Sequence, residues 1–441
     1  MVAATHGLRS LALWMNGERV GDWSISASGH HTLQYCDSWR NSRLGRPLSL
    51  SLPLQASPHR GDRVRWYFEN LLPDNPQILE HLANRFRLRS TEAFVLLAEI
   101  GRDCVGALQI VPGDEEALSV REIQGMPLST DQVACRLRAV PVTRAWGTEN
   151  QETELRISIA GAQEKTALLW WDGQWQIPLG TTPTTHILKL PLGRIGVHGL
   201  DLRLSLENEW LCLKILDAFG LPVPKAELLD FDGVRTLAVE RFDRRTAPSG
   251  AWIWRLPQED LCQATGTSPL HKYESDGGPG MKEILQILAL SSKSRENRRQ
   301  FLLAQILFWL LQAPDGHAKN FSIRLHQGGA FELTPIYDVM SAYPVLGGKS
   351  GQIPVQKVKM AMAVRTPRPH SKMQEIVARH WLEMARLQGM DEETQSLLNE
   401  LAARGPGILT TIGQSLPAGF PAKVAEPILG GMLKAILTKL G

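Results

Sequence analysis

The chain has 441 residues, of which 43% are hydrophobic and 21% charged, and its formal net charge at pH 7 is +3. This charge balance permits an acidic partner but gives no sign of a dedicated nucleic-acid binder, and the length predicts more than one domain. The five cysteines are scattered, which argues against a disulfide framework or zinc site and predicts a reducing, cytoplasmic compartment. There is no signal-peptide pattern and no apolar run near the roughly 20 residues of a membrane span, so we expect no membrane association.

Residues 1–145 are predicted to form a small α+β module. Two short strands surround Asn16 and Gly17, a pair that favours a type I′ hairpin turn. Ser90 is the expected N-cap of the last helix in this region. The polar, weakly patterned stretch 112–127 is interpreted as a linker or surface excursion. The helices are predicted over 64–72, 77–86 and 91–100.

Residues 146–256 are predicted to be rich in strands, with one helix over 206–219. A loop of small residues follows the first strand, and its backbone N–H groups can approach and hold phosphate oxygens. Lys189 lies on a later strand, where its ammonium can act as a point charge on nucleotide phosphates. Taken alone, the loop also fits an ordinary hairpin, and Lys189 a solvated lysine. The loop consists of Ala160, Gly161, Ala162, Gln163, Glu164 and Lys165.

Two acidic residues open the predicted helix, Glu207 and Glu209, and either is a candidate to pair with Lys189. Both also suit a helix N-terminus through the helix dipole, so the choice stays open. Past the last strand, the chain is expected to cross between two lobes, where its backbone can bind an adenine ring. The alternative is a surface strand end. The residues at this crossing are Glu240, Arg241 and Phe242.

The centre of the chain carries the strongest pattern for chemistry. An apolar helix is predicted over 301–311, Asp315 follows it in a turn, and Asn320 precedes a hairpin predicted over 321–334. Asp338 lies just past that hairpin. The order fits phosphoryl transfer, with Asp315 as the general base and Asn320 and Asp338 as oxygen ligands of Mg²⁺. Each carboxylate alone fits a turn or a strand end, but one hairpin places all three, which favours a site.

Two further residues of this turn, His317 and Lys319, can contact a phosphate, and His317 can equally orient the turn by hydrogen bonding. From residue 257 to residue 441 the pattern is otherwise mainly helical. Helices are predicted over 281–290, 371–387, 392–403 and 425–440.

Longer motifs run through the whole chain. In the second and third regions they are the stretches 156–167, 184–191, 238–245, 256–260, 273–280, 315–320 and 337–338. In the N-terminal region they are 46–53, 70–74 and 99–103. Together these stretches resemble the HipA family, the serine/threonine kinase toxins of HipA–HipB toxin–antitoxin systems. The resemblance implies an α+β, two-lobed, protein-kinase-like fold behind an N-terminal module.

The resemblance also implies a bacterial kinase that uses ATP and Mg²⁺, with Asp315 as catalytic base and Asn320 and Asp338 on the metal. Ser158 matches the family's autophosphorylated serine, whose modification ejects the phosphate loop and inactivates the kinase. Basic groups at 244–245 are expected to receive that phosphate. Contacts with ATP are implied for residues 160–165, Lys189, Glu240 to Phe242, His317, Lys319 and Tyr337.

The implied partners are a small helix-turn-helix antitoxin of HipB type, bound to operator DNA, and a protein substrate, glutamyl-tRNA synthetase being the family's best-known target. With the antitoxin, the chain would act as a corepressor of its operon. Arg386 matches the family's DNA-contacting region, but Gln388 and Gly389 stand where a second basic residue is expected. A non-catalytic corepressor and a small-molecule kinase remain the alternatives.

Overall fold

The computed structural model describes residues 9–113, 119–140, 165–195 and 199–440. Within those ranges, no helix is both long and apolar enough to cross a membrane. The strands of the N-terminal module are β1 (Arg9–Met15), β2 (Glu18–Ile25), β3 (His31–Tyr35), β4 (His59–Arg60) and β5 (Leu108–Pro112). Its helices are α1 (Asp37–Asn41), α2 (Asp62–Glu69), α3 (Pro76–Arg85) and α4 (Ala93–Ile100).

The module is an antiparallel sheet of order β4-β3-β2-β1-β5, packed against its helices. The β1–β2 hairpin turns at Asn16 and Gly17, whose φ angles of 49° and 88° are the left-handed angles that a type I′ turn requires. The predicted turn is therefore confirmed. In the core, Trp23 of β2 stacks on Phe68 of α2 with ring centroids 3.7 Å apart.

The start of α4 differs from the prediction. The Ser90 hydroxyl accepts a hydrogen bond from the backbone N–H of Glu92 at 3.1 Å, inside the turn that precedes the helix. Helical geometry begins only at Ala93, with Glu92 as the N-cap. Ser90 therefore stabilises the approach to the helix and not its first turn.

A second sheet follows. Its strands are β6 (Gly125–Pro127), β7 (Lys165–Trp171), β8 (Gln174–Pro178), β9 (His186–Lys189), β12 (Ala226–Phe231) and β13 (Val234–Glu240). Between β9 and β12, the chain forms a small separate ribbon of β10 (Gly193–Ile195) and β11 (Leu200–Leu202). The strand order is β12-β13-β9-β7-β8-β6. Two helices accompany it, α5 (Thr130–Ala139) and α6 (Ser205–Ala218), and a ribbon of β14 (Arg244–Thr246) and β15 (Ile253–Arg255) closes the region.

The stretch 112–127 is more than a linker. Its last residues form β6, which pairs with β8, so that Met126 lies opposite Ile177. Helix α5 then packs on the second sheet through Val133, Ala134 and Leu137. Residues 125–139 thus pack with the second sheet, although they precede the boundary that the sequence places at residue 145.

The third region is mainly helical. Its helices are α7 (Leu261–Thr265), α8 (Met281–Leu288), α9 (Ser294–Leu311), α10 (Ala378–Arg386), α11 (Asp391–Gln414) and α12 (Ala422–Lys439). Its strands are β16 (Gln258–Asp260), β17 (Ser322–Leu325), β18 (Phe331–Leu333), β19 (Lys359–Arg365) and β20 (Pro369–Lys372). Helix α9 is buried on all sides from Phe301 to Leu311, which explains its continuous apolar run.

Two predicted helix bounds in this region are wrong. Residues 371–387 do not form one helix, because Pro369–Lys372 pairs with β19 as a strand and the helix starts at Ala378. Helix α11 continues past residue 403 to Gln414, through Pro406. Sequence periodicity cannot reveal the β19–β20 pairing, because a strand this short gains its stability from its partner.

The N-terminal module is joined to the second sheet by a buried network of charges. Asp103 lies 2.8 Å from Arg244, 3.3 Å from Arg241 and 3.3 Å from Arg255, measured between side-chain oxygens and nitrogens. Its carboxylate also accepts a hydrogen bond from the Thr184 hydroxyl at 2.7 Å. These five residues come from both regions, so the network fixes how the two regions meet.

Candidate active site

The site is centred on Lys189, near the end of β9. Its Nζ donates to Oε1 of Glu209 at 2.6 Å and to Oδ1 of Asp338 at 2.7 Å. Glu209 lies on α6 and Asp338 follows β18, so one ammonium joins the second sheet, its helix and the helical region. Glu207, the other candidate for this pairing, contacts Arg235 instead.

The electrostatics favour full ionisation of this group. Burial lowers the pKa of Lys189, but Asp338 and Glu209 outweigh it and raise that pKa above its ordinary value. Burial likewise works against the charge on Asp338, yet Lys189 and Lys165 hold its pKa well below the usual range. Lys165 faces Lys189 directly across the β7–β9 pair. Burial lowers the pKa of Lys165 to about 8, so its charge responds to a nearby anion.

The loop after α9 carries the second part of the site. Helix α9 ends at Leu311, and its C-cap residue, Gln312, has a left-handed φ of 51°. Asp315 follows with its side chain 52% exposed. The side-chain amide of Asn320 donates to the backbone carbonyl of Asp315 at 2.7 Å, which ties the two ends of the loop together. With its nitrogen so occupied, the amide oxygen of Asn320 is the atom that could coordinate a metal.

Tyr273 contacts the candidate base, although it was assigned no role in the site from the sequence, where it only begins the motif 273–280. Its hydroxyl donates to Oδ1 of Asp315 at 2.5 Å. Its ring meets His317 edge-on, with centroids 4.9 Å apart, and Nε2 of His317 lies 3.7 Å from the same Asp315 oxygen. Burial lowers the pKa of His317, which favours the neutral ring. Tyr273 and His317 thus approach one oxygen of Asp315 from two sides.

The hairpin brings Asp338 to this loop, as the sequence predicts. Strands β17 and β18 pair with each other, and β16 adds a third strand on the other side of β17. The Tyr337 hydroxyl bonds the Ser322 hydroxyl at 2.5 Å and donates to the carbonyl of Lys319 at 3.0 Å. Tyr337, which precedes Asp338, is thereby bonded to Lys319, which precedes Asn320.

The predicted adenine-binding crossing is only partly accessible. The N–H of Arg241 donates to the carbonyl of Thr185 at 2.8 Å, and its carbonyl accepts from Arg244 at 3.1 Å. The Arg241 side chain is 2% exposed and belongs to the Asp103 network. Arg241 is therefore a structural residue, and its assignment as a nucleotide contact is corrected. The Phe242 ring lies 5.6 Å from that of Tyr337, where the two can form one wall of a base pocket.

Two other residues predicted from the sequence to contact a phosphate, Lys319 and Arg244, are likewise engaged in buried contacts. The ammonium of Lys319 is buried and bonded to Asn70 of the N-terminal module, so it is not available to a phosphate. Arg244 is buried on Asp103 and Asp243, which leaves exposed Arg245 as the candidate receiver of a phosphate. Arg386 lies exposed at the end of α10.

Ser158 and the loop residues Ala160, Gly161, Ala162, Gln163 and Glu164 lie outside the described residues. The donor set that is described fits a nucleotide and its metal. It combines two side chains that could supply hard oxygen donors, Asn320 and Asp338, with two lysines, Lys165 and Lys189, a combination that suits Mg²⁺ and phosphate. In the described part of the chain, no cluster of three or more His, Cys, Asp or Glu side chains is placed to hold a metal ion.

A lysine bridging a helix glutamate and an aspartate that follows a hairpin, beside an Asp–Asn loop, defines a protein of kinase-like architecture. Two family models match the chain. One, described as "HipA-like C-terminal domain", covers residues 157–407, and the other, described as "HipA N-terminal domain", covers residues 11–111. The chain belongs to the HipA family.

Individual relatives agree with this membership. The serine/threonine-protein kinase toxin HipA of Shewanella oneidensis is 29% identical over 344 residues, covering 75% of each chain. A protein of Sinorhizobium fredii named as a kinase, Y4mE, is 33% identical over 360 residues, covering 80% of this chain and 83% of Y4mE. A chain in the solved Shewanella oneidensis MR-1 complex of HipA, HipB and operator DNA superposes with a TM-score of 0.79 at 24% identity. The superposition covers 98% of this chain and 97% of that one, which shows the shared fold.

Proposed function

We propose that this chain is an ATP- and Mg²⁺-dependent serine/threonine protein kinase that acts as the toxin of a toxin–antitoxin pair. The observation that carries the proposal is Lys189, whose ammonium bonds both Glu209 and Asp338. That arrangement aligns a phosphate-binding lysine with a metal-binding carboxylate, as phosphoryl transfer requires. The site residues of the proposal are Asp315, Asn320, Asp338, Lys165, Lys189, His317, Tyr337, Phe242, the backbone of Glu240 and the loop 160–164.

In this mechanism Asp315 accepts the proton of the attacking hydroxyl. Tyr273 holds one carboxylate oxygen, at 2.5 Å, which fixes the orientation of Asp315. Lys189 and Lys165 place positive charge beside the phosphates. Asn320 and Asp338 would hold Mg²⁺, which neutralises charge on the β- and γ-phosphates when bound.

The partners follow from the solved complex in which a HipA chain is bound with HipB and operator DNA. We infer a HipB-like antitoxin for this chain, with operator DNA bound mainly through that antitoxin and corepression of the shared operon. Arg386 is the candidate direct DNA contact. The proposed protein substrate is glutamyl-tRNA synthetase, and the proposed autophosphorylation site is Ser158. Phosphorylation of the synthetase would arrest growth in the cytoplasm of a bacterial host.

The test is transfer of radiolabelled phosphate from ATP with Mg²⁺, first to the chain itself and then to purified glutamyl-tRNA synthetase. Asp315→Asn should lower transfer by about 10²–10⁴-fold and keep ATP binding, because only the base is lost. Asp232→Asn is the matched control, since that aspartate lies in an exposed turn with its side chain 64% accessible. No transfer by the wild-type chain would favour the non-catalytic corepressor. Transfer only to small molecules would favour the other alternative.

A further inference from the structure

The N-terminal module contacts the loop of residues 315–320, which we call the candidate catalytic loop. Lys319 lies within that loop, and its Nζ donates to the carbonyl and the side-chain oxygen of Asn70, at 2.9 and 3.0 Å. Asp74 lies 3.4 Å from the same ammonium. The Lys319 side chain is only 3% exposed, so these contacts are made away from water, where charge interactions are strong.

Asp74 holds a second lysine. Its Oδ2 lies 2.9 Å from Nζ of Lys272, while its Oδ1 faces Lys319. The carbonyl of Lys272 accepts from the N–H of Ala318 in the candidate catalytic loop at 3.3 Å. The residue after Lys272 is Tyr273, whose hydroxyl bonds Asp315. One carboxylate therefore joins the two segments that carry the candidate base and the tyrosine that orients it.

The charges around Asp74 match this role. Its side chain is 14% exposed. Burial raises its pKa, but Lys319 and Lys272 outweigh burial and hold that pKa below its ordinary value. Lys319 also faces Asp260, at 3.6 Å. Loss of Asp74 would leave Lys319 in place beside Asp260 and Asn70, yet would release the link to Lys272.

We propose that Asp74 is a positioning residue for catalysis, through which the N-terminal module holds the candidate catalytic loop in its active orientation. The proposal rests on the kinase function above. It goes further by making a residue outside the two lobes part of the working site. Asp74 touches neither substrate nor nucleotide in this scheme. Because it acts on Asp315 and Asn320 and not on Lys189, its loss affects the chemical step more than nucleotide binding.

The experiment compares Asp74→Asn with Lys272→Met, which breaks the same link from its more exposed side. Asp62→Asn is the control, since that aspartate lies in the same module with its side chain 65% exposed. Both test variants should lower kcat by about 10- to 100-fold and change KM for ATP less than about 2-fold, as expected when reacting groups are misplaced. Hydrogen exchange, followed by mass spectrometry, should be faster for the peptide covering residues 315–320.

The outcomes are separable from those of the kinase proposal. If wild type transfers phosphate and both test variants keep the kcat of Asp62→Asn, or keep its exchange rate at 315–320, the positioning role is wrong. If wild type transfers no phosphate but exchange at 315–320 is faster in both variants, the link between module and loop stands and the kinase proposal fails. If Asp74→Asn does not fold, Lys272→Met decides alone by the same two measurements.

Discussion

Nζ of Lys189 and Oδ1 of Asp338 lie 2.7 Å apart, although 149 positions separate the two residues in the sequence. Each comes from a different region, and Glu209 completes the contact from a third element. The lysine is 7% exposed and the aspartate 30%, so the group is shielded from solvent on one side and open to it on the other. That asymmetry suits a site in which a phosphate arrives from the open side.

Replacing this lysine tests the nucleotide site. Lys189→Ala should weaken ATP binding and turnover together, because a charge on the phosphates acts in the ground state and in the transition state. We expect a loss of at least about 10-fold in affinity, in line with one charge-assisted contact. Calorimetric titration with ATP measures it. Lys423→Ala, at an exposed position of α12, is the control, and equal affinity in both variants would contradict the assignment of Lys189.

The Asp103 network predicts a large effect on stability. Asp103→Asn removes a carboxylate that faces three buried guanidinium groups, so Arg255 loses the carboxylate it faces and Arg241 and Arg244 keep only Asp243. Breaking a buried ion pair in this way costs about 3–5 kcal/mol. Denaturant unfolding should show that loss, whereas Asp37→Asn, with a side chain 84% exposed, should change the free energy of unfolding by less than about 0.5 kcal/mol. A loss of under about 1 kcal/mol in Asp103→Asn would mean that water reaches these ion pairs and screens them.

Glu259 predicts a dependence of stability on pH. Burial raises the pKa of this carboxyl from 4.5 to about 8. Between these two pKa values the folded chain keeps a proton that the unfolded chain releases. The contribution of protonated Glu259 to the free energy of unfolding is therefore fully present below pH 4.5 and is lost as the pH rises toward about 8.

Glu259→Gln, which imitates the protonated acid, should remove that dependence. Its free energy of unfolding should rise relative to wild type by up to about 1.4 kcal/mol per pH unit across this window. Denaturant curves at several pH values measure the difference. Glu80→Gln, at an exposed position, should follow wild type throughout. Parallel curves for wild type and Glu259→Gln would show that Glu259 is ionised in the folded chain.

Ser158 is the proposed regulatory site. A phosphate there adds about −1.5 to −2 charges next to the loop proposed to hold ATP phosphates, so phosphorylation should abolish ATP binding. Mass spectrometry should find the phosphate in wild type and not in Asp315→Asn, because the modification needs the active base. Phosphorylated protein that binds ATP as well as unmodified protein would exclude loop ejection as the mechanism. Arg245→Ala then tests whether an exposed arginine receives the phosphate.

The sequence predicted the parts of the site that are local. The Asp315–Asn320 spacing, the hairpin after it and Asp338 beyond it are all set within one short stretch, and the hairpin forms as expected. Glu207 and Glu209 are both glutamates, two positions apart, so the sequence does not distinguish them as partners of Lys189. The partner depends on which face of α6 packs on the sheet. Only the packed helix decides for Glu209.

Other contacts could not be predicted because they join distant segments. Tyr273 precedes Asp315 by 42 positions, and no periodicity relates them. Lys319 is predicted to contact a phosphate because it stands beside Asn320, yet its ammonium bonds Asn70 of the N-terminal module. Arg241 likewise stands at the expected crossing but turns toward Asp103. Conflicts between a local pattern and a distant partner explain each of these corrections.

The backbone of Asp338 has a consequence for how the site should be probed. Its φ of 59° is left-handed, a region that aspartate, asparagine and glycine enter far more readily than alanine. Alanine at this position would change the backbone as well as remove the carboxylate, so an inactive Asp338→Ala chain would not reveal which loss mattered. Asparagine keeps the turn and removes only the charge. An alanine scan would therefore overstate the chemical role of Asp338, and Asp338→Asn measures it cleanly.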